Sequence, residues 1–167
     1  MPWNGWIALI YGVVLFFVAQ IIGGLSAAMY GVFQGWTAQQ TTDWLQTAVA
    51  GQFLYVLIAE TLTIAGIVGF IKFYKQPLSS IGFKRPRMAD VLAGFMGFPV
   101  YFVLYAVILA IASQVFPGLN VNQEQQIGFK DVAGFWPLLM TFISLVILPP
   151  LVEELLLRGL LFTSLRK

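Results

Sequence analysis

The sequence predicts an all-α fold, a polytopic membrane bundle of about four transmembrane helices with both termini in the cytoplasm. Three observations predict it. Of 167 residues, 59% are hydrophobic and only 10% are charged, against about a quarter charged in an ordinary soluble domain, so the chain cannot cover itself with a water-compatible surface. Four apolar stretches reach the ~20 residues that a helix needs to cross a hydrocarbon core of ~30 Å. Lysine and arginine gather between the second and third stretches, which orients the whole arrangement.

The first crossing is expected at residues 5–33. Its apolar run from Trp6 to Met29 exceeds the ~7 to 15 residues of a signal-peptide core and follows no basic segment, so it reads as a retained span. The others are expected at 44–71, 89–116 and 134–162, making one membrane domain over 1–167. Polar or turn-forming residues separate them: Gln34 to Thr42, the basic loop 72–88, and Pro117 to Asp131. The five tryptophans, at positions 3, 6, 36, 44 and 136, all fall at expected helix ends, where the ring suits headgroup depth. Gly23 with Ala27, Gly24 with Ala28, and Ala65 with Gly69 place small residues at helical spacing, which lets helix backbones approach closely.

Orientation follows from Lys72, Lys75, Lys84, Arg85 and Arg87 in the second loop, against no basic residue in the first loop and only Lys130 in the third. Cytoplasmic loops carry the excess of basic residues, so loop 72–88 is placed in the cytoplasm. Within it, Pro77 to Lys84 reads as a turn and a short segment on the membrane surface that anchors the topology. The net charge of +2 is small and scattered, which argues against a nucleic-acid partner. The absence of cysteine excludes disulfides, thiolate nucleophiles and cysteine-ligated zinc. The absence of histidine removes the commonest metal ligand and the usual proton shuttle near neutral pH.

The chemistry concentrates in the fourth stretch, where Glu153, Glu154 and Arg158 interrupt an apolar helix behind Pro149 and Pro150. A charged residue at mid-helix costs about 2.5 to 3.5 kcal/mol on insertion, while each leucine offsets about 0.3 to 0.6. Such groups have to be paired, hydrated or near an interface. Glu154 and Arg158 stand at i and i+4 and can pair, whereas Glu153 is rotated about 100° away. Glu153 is thereby available as a general base on a water molecule, and the prolines should kink the helix. The bland alternative is an interfacial ion pair that only fixes the helix. Counted at 1.5 Å per residue, the two glutamates lie about 26 Å from Trp136, and Glu60 in the second helix about 24 Å from Trp44. Glu60 is read either as a protonated carboxyl bonded between helices or as lining the same cavity. Three intramembrane glutamates against one arginine leave the cluster short of cations.

At these residues the sequence resembles the CAAX-protease and bacteriocin-processing family of intramembrane metalloproteases, which includes prenyl-protein endoproteases and abortive-infection proteins. The resemblance rests on Glu153-Glu154-x-x-x-Arg158 followed by Gly159 and an apolar run, with Pro149 upstream and Ile81-Gly82-Phe83 before a basic stretch. It implies catalytic roles for Glu153, which would activate the attacking water, and for Glu154 and Arg158, which would orient the site or hold the substrate. It implies zinc in a complete family member, a peptide or prenylated-peptide substrate met at the cytoplasmic side, and the plasma membrane of a prokaryote. The family pattern continues with histidines on later helices, and this sequence has none. The expectation is therefore the N-terminal part of a metalloendopeptidase, inactive by itself, with no cofactor of its own. Besides the bilayer, a membrane-insertion machine or chaperone is a candidate partner for such a truncated chain. Two other readings stay open: a non-catalytic scaffold or immunity-type protein that binds a peptide, and a transporter fragment whose Glu60, Glu153 and Glu154 form an ion path.

Overall fold

The computed structural model describes residues 3–82, 87–116 and 132–166. Among these the regular structure is helical, without strands, and four helices are long and apolar enough to cross a membrane. The expected loop Pro117 to Asp131, with Lys130, lies outside the described residues, as do Phe83, Lys84 and Arg85. The described residues fall into two units, one of residues 3–82 with 132–166 and one of 87–116.

In the first unit, α1 (Gly5–Phe33) begins at Asn4, whose side chain accepts the Trp6 amide, and runs unbroken to a turn at Gly35 with φ 72°. Its 29 residues rise about 43 Å, more than one hydrocarbon thickness. Its buried residues are all small: Ala8, Gly12, Ala19, Gly23, Ala27 and Gly31. That stripe recurs every four or seven positions, the period of one helix face, and it admits the backbone of a second helix closely.

That second helix is α3 (Val49–Phe73), antiparallel to α1. A Cβ on Gly23 would stand 2.9 Å from the Ala59 Cβ, and one on Gly66 would run into the Leu15 side chain. Tyr11 stacks on Phe70 at 4.5 Å between ring centroids and donates its hydroxyl to the Gly66 carbonyl at 2.8 Å. Gly23 and Ala27 thus pack as their spacing implies, whereas Ala65 and Gly69 are exposed in this unit.

Two expectations about boundaries change here. The stretch from Gln34 to Thr42 is not all loop, because α2 (Ala38–Thr47) starts inside it, set by a capping box in which Thr37 and Gln40 satisfy each other's backbone amides. The second crossing does not begin at residue 44, because the helix breaks at Ala48, whose backbone is extended. Trp44 therefore belongs to α2, where it stacks on Tyr30 of α1 and meets Trp36 edge-on. Trp3 departs from expectation too. It is buried among Phe70 and Tyr74 and donates its indole N–H to Ser164 Oγ at 2.7 Å, so it ties chain ends together where headgroup contact was expected.

After α3 a short 3-10 turn (Leu78–Ile81) ends at Gly82, where φ is 82°. The fourth crossing, α5 (Phe135–Leu165), is one continuous helix of 31 residues. The core of the unit forms where α1, α3, the 3-10 turn and α5 meet, around Ile67, Ile71, Ile81, Leu156 and Leu160. The second unit is a single helix, α4 (Met88–Val115), apolar over 28 residues and carrying Pro99 in its interior.

Candidate functional site

The site is built on the irregular part of α5. Ordinary α-helical turns cover Phe135–Phe142 and Leu148–Glu153, and wider π-helical turns cover Ile143–Ile147 and Glu154–Phe162. Pro149 and Pro150 have no N–H, so the carbonyls four residues upstream, on Leu145 and Val146, lose their α-helical donors. Both fall in the first π turn, the kind of distortion that clusters at functional sites. The prolines thus widen the helix immediately before the glutamates.

The ion pair expected from i, i+4 spacing is present: Arg158 Nη1 donates to Glu154 Oε1 at 2.6 Å. Both side chains are well exposed in this unit, at 77% for Arg158 and 58% for Glu154, so the pair is held by its own geometry and not by packing. Glu153 has no ion-pair partner among the described residues.

The two adjacent glutamates open onto different spaces. Glu154 and Arg158 line a cavity of about 310 Å³ whose far wall is Ile81 and Gly82, with Thr163 and Arg166 at one end. Glu153 borders a groove of about 380 Å³ between α5 and α1, lined otherwise by apolar residues such as Phe16, Phe17, Leu157 and Leu161 and left open by Gly12. The wall on the first side depends on Gly159, where a Cβ would stand 3.2 Å from the Ile81 carbonyl oxygen. The segment expected to lie on the membrane surface therefore has a packing role, with Ile81 buried against the motif helix.

Glu60 is 8% exposed, and its Oε2 has no hydrogen-bond partner among the described residues. Tyr55, five residues before it on α3, bonds to Gln20 of α1. Because α3 starts at Val49, Glu60 lies 11 residues into its helix, about 17 Å along, and not the 24 Å obtained from Trp44. Of three further buried hydroxyls without partners among the described residues, Ser80 Oγ precedes Ile81, and Thr141 Oγ1 and Ser144 Oγ lie on the first half of α5, which packs on α3. Sequence reasoning missed the two on α5, because serine and threonine in an apolar helix ordinarily bond back to their own turn. The contribution of Gly12 was legible only as one more member of the α1 small-residue stripe.

No family model, curated protein or solved structure matches the chain. The residues themselves carry the remaining argument. Among the described residues there is no group of three histidine, cysteine, aspartate or glutamate side chains able to hold a metal. Zinc sites are built from such donors, most often histidine and cysteine, and the sequence has neither. These residues do not fit zinc.

Proposed function

We propose that this integral membrane protein supplies the glutamate and arginine part of an intramembrane endopeptidase of the CAAX-protease type. The observation that carries the reading is the division of labour on α5. Arg158 holds Glu154, while Glu153, one residue earlier, has no ion-pair partner among the described residues and borders a separate groove. A carboxylate free of a cation is able to take a proton from water, and one already bound to a guanidinium is better suited to orienting neighbours. In this reading Glu153 takes the proton from a water that attacks a peptide carbonyl, and Glu154 and Arg158 position the substrate. With loop 72–88 in the cytoplasm, the site lies toward the cytoplasmic side of the plasma membrane of a prokaryote.

Polarisation of the nucleophile in this type of enzyme needs a metal held by side chains such as histidine, and the sequence has no histidine and no cysteine. The protein alone is therefore inactive in this reading. The test has two arms. Reconstituted by itself, the chain should not cleave a CAAX-type peptide. A coding sequence that continues past Lys167 into helices carrying Phe-x-x-x-His and His-x-x-x-Asn or Asp should give a product that does, with cleavage lost in Glu153→Gln. Cleavage by the 167 residues alone, or by Glu153→Gln in the longer product, overturns the proposal.

One observation favours a second reading, a glutamate-lined proton or cation path. Glu60 is buried in a membrane helix with an oxygen that has no partner among the described residues, and intramembrane carboxylates commonly mark ion pathways. Proton flux into liposomes that disappears in Glu60→Gln would support this reading, and liposomes no leakier than protein-free ones would sink it.

A further inference from the structure

We infer that the cavity beside Arg158 and Arg166 binds the anionic headgroup of a membrane lipid, with one acyl chain seated along Leu157 and Phe162. The inference goes beyond the peptidase reading and holds whether or not Glu153 acts as a base.

Charge comes first. The cavity of about 310 Å³ is lined by Glu154, Arg158 and Arg166. Glu154 is taken by Arg158, so among the described residues the lining keeps one net positive charge, on Arg166, which has no ion-pair partner among them. Thr163 lines the same space and adds a hydroxyl able to donate to a phosphate oxygen.

Position comes second. Arg166 lies 31 residues beyond Phe135, the start of the fourth crossing, about 46 Å along it and more than one hydrocarbon thickness, so the cationic end of the cavity falls at a membrane face, whichever leaflet that is. Basic pockets at this depth between membrane helices suit anionic headgroups.

Shape decides between a lipid and a free anion. A second cavity, of about 410 Å³, is lined by Leu157, Arg158 and Phe162. It shares Arg158 and Phe162 with the first, so the space beside the arginines continues along the helix past Leu157. Leu157 is 55% exposed and Phe162 58%. A free phosphate would use only the first compartment, whereas a phospholipid fits both.

The experiment uses the full chain in detergent micelles doped with equal amounts of phosphatidylglycerol and phosphatidylcholine, with retained lipid counted by native mass spectrometry. The protein should retain phosphatidylglycerol in preference. Arg166→Gln should lower that retention about fivefold, the factor that corresponds to one basic charge at a membrane surface, and leave phosphatidylcholine unchanged. Phe162→Ala should weaken retention of phosphatidylglycerol as well, and excess inorganic phosphate should not displace it. Both substitutions are at exposed positions, so the fold tolerates them. Equal retention of the two lipids, retention unchanged by Arg166→Gln, or displacement by phosphate alone would each overturn the proposal.

Discussion

At the scale of single residues, the most informative group is one that makes no sense as packing. Glu60 is buried in α3 with Oε2 unpartnered among the described residues, and an unsatisfied buried polar group costs about 1 to 3 kcal/mol. If the fold alone had chosen this position, an apolar side chain of similar length would serve better. Glu60→Met should therefore stabilise the protein by about 1 to 3 kcal/mol in detergent unfolding, and a loss of stability would show that the carboxyl is satisfied in the membrane. Arg158 gives the opposite case. Removing it leaves Glu154 without its only ion-pair partner among the described residues, so Arg158→Ala should destabilise the chain, and Glu154→Gln in the same background should restore part of the loss. A double-mutant cycle measures that coupling directly. A result in which the two single changes simply add would mean that the pair contributes nothing to the fold. The pairing was legible in the sequence, since i, i+4 neighbours meet on any helix and remain close in the wider turns of α5. The isolation of Glu60 was only half legible. Its place in a span marked it as costly, but whether its oxygens find donors depends on the facing helices.

At the scale of elements, the bounds of α1 were readable because an unbroken apolar run lies between two local signals, the Asn4 cap and the turn at Gly35. The break at Ala48 was not, because alanine is the strongest helix former and no proline or glycine occupies the break. A close approach of the two helices accompanies the break. Gly51 lies so close to Trp44 that a Cβ would stand 2.7 Å from the Trp44 carbonyl oxygen, a contact between two helices that no single segment announces. The π turns of α5 were equally hidden, although the prolines marked the place. The α1–α3 seam gives a sharp contrast. Gly23→Ala would press a methyl group onto the Ala59 Cβ at 2.9 Å and its backbone N at 3.2 Å, and backbone cannot turn aside, so a loss of about 1 to 3 kcal/mol is expected. Gly24→Ala, one residue on, meets nothing within 4 Å and should gain up to about 1 kcal/mol from helix propensity. Equal effects in chemical unfolding would contradict the interface. At the start of α2, Thr37→Ala removes one half of the capping box and should cost about 1 kcal/mol, read as lost helicity of that segment by hydrogen exchange.

At the scale of the whole molecule, the open question is which face of the bilayer each loop meets, and the distribution of charge makes a definite prediction. Lys72 and Lys75 flank the end of α3 and Arg87 precedes α4, whereas the segment between α1 and α3 carries no lysine or arginine and includes Asp43. Basic residues resist translocation and acidic ones matter little, so the segment between α3 and α4 is expected in the cytoplasm and α2 outside. The chain has no cysteine, which lets single cysteines report their side without any background substitution. Gln39→Cys in α2 should react in intact cells with a membrane-impermeant maleimide. Gln76→Cys, beyond the end of α3, should react only after the membrane is opened. Both residues are polar and α2 and the turn after α3 end their helices outside the apolar runs, so neither change disturbs a crossing. The same experiment bears on the site. Glu153 lies 18 residues beyond Phe135 on a helix that must run parallel to α3 if four crossings alternate, which places it toward the side that Gln76 reports. Labelling of Gln76→Cys in intact cells would therefore invert the topology and move the glutamates toward the outer face, where a peptidase would meet secreted segments instead of cytoplasmic ones.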